Sequence, residues 1–195
     1  MISTQFLQKC QSGDEEAIQT LVRTHQRGVF QLALSILDDS PVMAPRASDD
    51  TVREAELATR ETFVTALNRI GRYREDMPFA SWIYRIAILV SQRRARRWKL
   101  RRFFTHWLGR LLPFWFGPGE TAFSTPEANP HLLPGDSDMW LGVRGLDPSL
   151  RLPVVLRYYH DFSIDEIARL LHLSEGAVHA RLDAARERIA KDISQ

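Results

Sequence analysis

Residues 162–189 read FSIDEIARLLHLSEGAVHARLDAARERI, and they decide the fold. Ser163 followed three residues later by Glu166 is a capping box, in which a hydroxyl and a carboxylate satisfy the free N–H groups at a helix start. Ile164, Ile167, Ala168 and Leu171 then share one helical face. Ser174 stands where it can cap a second helix, whose buried stripe is Val178, Leu182, Ala185 and Ile189. Only His172 and Leu173 separate the two helices, and small Ala168 lies where they cross. A turn this tight often needs a residue at positive φ, and histidine tolerates that better than most. The spacing describes a helix-turn-helix, with a generic helical hairpin as the plainer alternative.

Upstream, Asp147-Pro148 makes a good helix start, an acid at the N-cap with proline at the first helical position. Pro153 then falls inside the helix, where a break or restart is expected. Residues 117–138 are rich in Pro, Gly, Ser and Asp and read as an interdomain linker. Further toward the N-terminus every periodic stretch has the helical period, and none alternates as a strand would. Examples are Ile18, Leu21, Val22, Val29, Ala33, Ile36 and Leu37, and then Trp82, Ile83, Ile86, Ala87 and Val90. Ser12 with Glu15 is expected to cap the first long helix, and residues 38–52, DDSPVMAPRASDDTV, read as a loop. The expectation is an all-α chain of two small helical domains joined by a linker, the C-terminal one a helix-turn-helix. The domains run 1–98 and 140–195, with residues 99–139 between them.

The intervening segment begins in RRARRWKLRRFFTHWLGRLLPFWF, residues 93–116, which carries eight positive charges and no negative one. Leu100, Phe103, Phe104, Trp107, Leu108, Leu111 and Leu112 fall on one helical face, ended by Pro113. Arg101, Arg102, Thr105, His106 and Arg110 fall on the other. Such an apolar face needs cover, whether from the protein's own domains, from a protein partner or from a membrane surface. It is too short and too interrupted to span a bilayer.

The 195 residues carry a net charge of only +2, so the basic run is a local feature, set against acids concentrated in the first third. One cysteine, Cys10, excludes an internal disulfide, fits a reducing compartment and reads as a core residue. Gln8, Lys9, Gln11 and Asp14 interrupt any early apolar run, so no secretory signal is expected and a cytoplasmic protein follows. No metal-ligand spacing, glycine-rich phosphate loop or nucleophile with a base is evident. Neither enzyme activity, a metal, a cofactor nor a small-molecule substrate is therefore expected.

A helix-turn-helix on DNA lays its second helix in the major groove, N-terminal residues toward the base edges. Ser174, Glu175, Gly176, His179, Ala180 and Arg181 are the candidates there, with Arg186 and Arg188 toward the backbone. Asp183 works against phosphate proximity, so this reading helix is only weakly basic.

Residues 150–189, LRLPVVLRYYHDFSIDEIARLLHLSEGAVHARLDAARERI, resemble the fourth conserved domain of bacterial sigma factors, especially the extracytoplasmic-function class. FLQKCQSGDEEAIQTLVRTHQRGVFQLALSIL resembles the first helices of the second sigma domain. RETFVTALNRIGRYRED and MPFASWIYRIAILVSQRRARR resemble its later ones. Two domains match in the right order, leaving out only residues 38–52 and about 98–140. The resemblance implies core RNA polymerase and promoter DNA as partners, with an inhibitory anti-sigma factor as a further one. It implies polymerase binding through Glu56, Arg60, Glu61 and Phe63. It implies −10 capture by Tyr73, Trp82 and Tyr84, rings able to stack on unpaired bases, with Trp82 as a core residue the plainer reading. Arg93, Arg94, Arg96 and Arg97 would track phosphates, and the helix-turn-helix would read the −35 element.

The chain departs from the family pattern at several of these places. The clamp helix carries EAEL where D-A-E-D is usual, and Arg60 replaces a glutamine. Leu89 and Arg93 stand where asparagine and aspartate usually face the promoter. His179 and Ala180 replace a common lysine and serine, and Asp183 replaces a usual histidine or other polar residue. Two other readings accordingly remain: a sigma-like regulator or scaffold that no longer initiates transcription, and a peripheral membrane protein anchored by residues 99–116.

Overall fold

The computed structural model describes residues 4–38, 48–74, 77–111 and 142–193. Every regular element among them is helical. They include α1 (Thr4–Ser12), α2 (Glu15–Leu37), α3 (Asp49–Arg69), a 3-10 turn (Ile70–Arg72), α4 (Phe79–Leu111), α5 (Pro148–Tyr158), α6 (Ile164–Leu171) and α7 (Glu175–Ile193).

Local chemistry sets most boundaries. Gly13, at φ 86°, turns the chain out of α1, and Asp14 rather than Ser12 caps α2, accepting from the Ala17 N–H at 2.8 Å. The expected Ser12–Glu15 box does not form because Ser12 is still inside α1, its hydroxyl donating to the Lys9 carbonyl at 2.9 Å. Ser48 caps α3, which therefore starts inside the stretch expected to be a loop. Pro153 does not break α5: the helix runs through it from Pro148 to Tyr158. The proline costs one hydrogen bond near the helix start, and the burial of Leu152, Val154, Val155 and Leu156 around it offsets that loss.

Helices α2, α3 and α4 pack mutually, with Phe30, Leu34, Leu37, Ala55, Ala58, Ala66, Ile86 and Val90 filling the space between them. Cys10 is buried, and desolvation pushes its thiol pKa up, as suits a packing residue. Helix α4 is continuous from Phe79 to Leu111, so the expected boundary at residues 98/99 falls inside one helix. The expected linker at 117–138, Pro113 and the last part of the 99–116 segment lie outside the described residues. No helix among the described residues is long and apolar enough to cross a membrane.

The C-terminal helices rest directly on the N-terminal ones. One hydrophobic cluster runs from Leu21, Val29 and Ile83 through Val143, Leu146, Val155 and Leu156 to Ile167, Val178 and Leu182. Helix α5 packs on α2, and α6 packs on α4.

Candidate nucleic-acid and polymerase interface

The helix-turn-helix is built by the chemistry its sequence advertises. Ser163 accepts from the Glu166 N–H while the Glu166 carboxylate accepts from the Ser163 N–H at 2.9 Å, completing the capping box. His172 ends α6 in the left-handed region at φ 55°, ψ 46°, the conformation usually left to glycine. The Ser174 hydroxyl accepts from the Ala177 N–H at 3.2 Å and caps α7. Val178, Leu182 and Ala185 are buried and Ile189 half-buried, as expected; on α6, Leu170 is buried and Leu171 only partly so.

Opposite that stripe, Ser174, Glu175, Gly176, His179 and Ala180 are exposed, and Arg181 is half-buried. A side chain added at Gly176 would meet nothing within 4 Å, so the N-terminal turn of α7 is open enough for a close approach. Arg186 is held rather than free: it donates to the Tyr158 hydroxyl at 2.7 Å and pairs with Asp183 at 3.3 Å. Tyr158, half-exposed on α5, is thus part of this surface, a residue that sequence spacing did not single out.

The N-terminal site residues separate into two environments. Tyr73 and Trp82 are half-buried and form a three-ring cluster with Phe79, centroids 5.1–5.6 Å apart, and the Tyr73 hydroxyl donates to the Met77 carbonyl at 2.7 Å. Tyr84 is sealed: its ring meets His160 and Phe162 at 4.8 and 5.1 Å, and its hydroxyl is hydrogen-bonded to His160 Nδ1 at 3.1 Å. Burial pushes the Tyr84 pKa up to about 12, and burial, opposed by the Asp161 charge, pushes His160 down to about 4. In this arrangement Tyr84 cannot stack on a base.

Arg93, Arg96 and Arg97 are exposed along α4, flanked on the same helical face by exposed Leu89 and Leu100. Arg94 is turned inward, paired with Glu61 at 2.7 Å and Glu54 at 3.1 Å, and so ties α4 to α3 instead of presenting its charge outward. On α3, Phe63 is in the core, Glu56 is half-buried and Arg60 is exposed. The solvent face of α3 is instead Leu57, Arg60, Glu61 and Val64, spaced i, i+3, i+4, i+7, with Val64 54% exposed. Leu57 and Val64, which sequence spacing did not single out, are exposed on this face because of how α3 packs. Among the described residues no cluster of His, Cys, Asp or Glu is arranged to hold a metal ion.

Comparison with known proteins meets this geometry at the same elements. The model of the family "Sigma-70, region 4" matches residues 142–189, which hold α5, α6 and most of α7. Over the full chain, the RNA polymerase sigma-H factor of Pseudomonas aeruginosa is 25% identical, covering 96% of this chain and 91% of its own. The ECF RNA polymerase sigma factor SigW of Bacillus subtilis is 24% identical, covering 99% of this chain and 97% of its own. The solved structure of CnrH, in complex with the cytosolic domain of CnrY, covers 97% of this chain and 95% of its own at a TM-score of 0.60 and 22% identity, a likeness of fold.

Proposed function

We infer that this chain, a member of the extracytoplasmic-function class of sigma factors, is a transcription initiation factor that binds core RNA polymerase and directs it to specific promoters. The observation that carries the inference is coincidence: the sigma region-4 match falls on the helices whose caps and left-handed His172 build the helix-turn-helix, in a chain similar to sigma factors along nearly its whole length. Such a protein is not an enzyme. It lends recognition to a polymerase that does the chemistry.

The proposed division of labour follows exposure and charge. The solvent face of α3, with Leu57, Arg60, Glu61 and Val64, is offered to polymerase; apolar residues flanking an arginine make a compact contact patch. Arg93, Arg96 and Arg97 draw promoter phosphates to α4, and the rings of Tyr73 and Trp82 lie near its start for bases released from the stack. Helix α7 enters the major groove at the −35 element with Glu175, His179, Ala180 and Arg181 toward the bases; Arg186, steadied by Tyr158, reaches backbone. A cytoplasmic location is part of the proposal, because promoter DNA and core polymerase would be met there. An anti-sigma factor is proposed as the regulating partner, a role supported by CnrH having been solved with another protein's cytosolic domain.

The test is comigration of the purified chain with bacterial core RNA polymerase in size-exclusion chromatography. Coelution is expected, and weakened coelution for Val64→Glu; a chain that elutes alone under every salt condition contradicts the reading.

A further inference from the structure

The C-terminal end of α2 is held by two arginines that do not belong to it. Helix α2 has no basic residue in its last turn, so its carbonyl dipoles have no local cation. Arg151 of α5 supplies one, donating to the Ser35 carbonyl at 3.0 Å and the Asp38 carbonyl at 2.5 Å, and with its other nitrogens to the carbonyls of Arg144 and Leu146. Arg144 pairs with the Asp38 carboxylate at 2.6 Å, and both side chains are at most 3% exposed. The contacts of Arg144 and Arg151 with Ser35 and Asp38 join residues more than a hundred positions apart. Two further joints lie along the same seam: Tyr84 with His160 over Gly28, and Arg85 with His172 at 3.3 Å.

The seam restricts what α7 can reach. Ser174 and Glu175, at the reading end of α7, share a cleft of about 710 Å3 with Met77 and Arg85 of the N-terminal half. The −10 and −35 elements are separated by about 25 base pairs, roughly 85 Å along the duplex axis at 3.4 Å per step. Halves in direct contact cannot occupy both elements at once. The thirty residues from 112 to 141 have a maximum span of about 100 Å, so chain length permits the separation.

We propose that Asp38, Arg144 and Arg151 form the latch of a closed state, which the protein must release to bring its two halves to the two promoter elements. The inference rests on the sigma reading for its purpose, but the latch is testable without polymerase. The experiment is single-molecule energy transfer between labels at Gln26→Cys and Glu187→Cys in a Cys10→Ser background. The free chain shows one high-transfer population, and Asp38→Asn raises the low-transfer fraction at least about tenfold with helical content unchanged. An Asp38→Asn chain that keeps its fold and its transfer distribution overturns the latch. If that variant does not fold, a cleavable bismaleimide bridge between Arg85→Cys and Arg169→Cys, which line the same cleft, decides in the Cys10→Ser background. The bridged chain loses promoter binding in complex with core polymerase and regains it on cleavage; equal promoter binding before and after cleavage overturns the requirement for opening. Opening by Asp38→Asn in a chain that never coelutes with polymerase would leave the latch standing and count against the sigma reading alone.

Discussion

The molecule uses arginine in two opposite ways. Arg144 and Arg151 are buried, and carbonyls and a carboxylate at the C-terminal end of α2 receive their donors. Arg93, Arg96 and Arg97 stand in solvent along α4. The first pair serves the fold, because a charge taken out of water must be matched where it lands. The second set contributes little to the fold and leaves its charge available to a polyanion. Arg94, adjacent in sequence to Arg93, belongs in kind with the first group, since Glu54 and Glu61 occupy it. Sequence proximity groups Arg93, Arg94, Arg96 and Arg97; the structure divides them by partner.

The contrast is sharpest where a partner is removed. Arg144→Met leaves the Asp38 carboxylate buried without its ion pair and is expected to lower unfolding free energy by about 3–5 kcal/mol in urea melts. Adding Asp38→Leu should recover much of that loss; equal destabilisation of single and double variants would mean the pair is not the issue.

The next largest effect is a pH dependence at the second joint of the seam. His160 has a folded pKa near 4 against an ordinary value near 6.5, so between those values the unfolded chain binds the extra proton. Stability from this group is complete above about pH 6.5, falls as pH drops, and levels off below about pH 4. The total is at most about 3 kcal/mol. Tyr84 and Asp161 face the ring, and neither supplies a compensating buried anion that would hold a proton there: the tyrosine stays neutral and the aspartate is exposed. Melts of wild type and His160→Gln across that window should differ in slope, and parallel curves would contradict the assignment.

A smaller steric effect comes from the same place. A Cβ at Gly28 would overlap the Tyr84 hydroxyl, so Gly28→Ala should cost about 1–3 kcal/mol, with Tyr84→Phe in the same chain recovering part of it. Least visible in stability are Arg93→Gln, Arg96→Gln and Arg97→Gln, each expected to shift unfolding by no more than about 0.5 kcal/mol. Their effect belongs in DNA binding, where each lost phosphate contact should reduce the log–log salt slope by about 0.9. A large loss of stability with an unchanged slope would move these arginines into the first group.

What was legible in the sequence was local. The Ser163–Glu166 box, the Asp147-Pro148 start, the stripe of α7 and the unusual conformation of His172 all depend on residues within a few positions of one another. Pro153 misled because propensity near a helix start is weak against the burial of four neighbouring apolar side chains. The latch was out of reach: Asp38 and Arg144 are 106 residues apart, and neither sits in a periodic pattern. The candidate site was legible in its elements and less so in its side chains. Exposure separates Arg60 from Phe63 and Arg93 from Arg94, and exposure depends on how α2, α3 and α4 pack.

The most direct test of the account is transcription itself. Core RNA polymerase would be incubated with genomic fragments from the organism that encodes the chain, with and without the chain, and the new 5′ ends of the RNA mapped. The account predicts start sites that appear only when the chain is present and that share a common pair of upstream elements at fixed spacing. A chain that coelutes with polymerase yet yields no such start sites would contradict it.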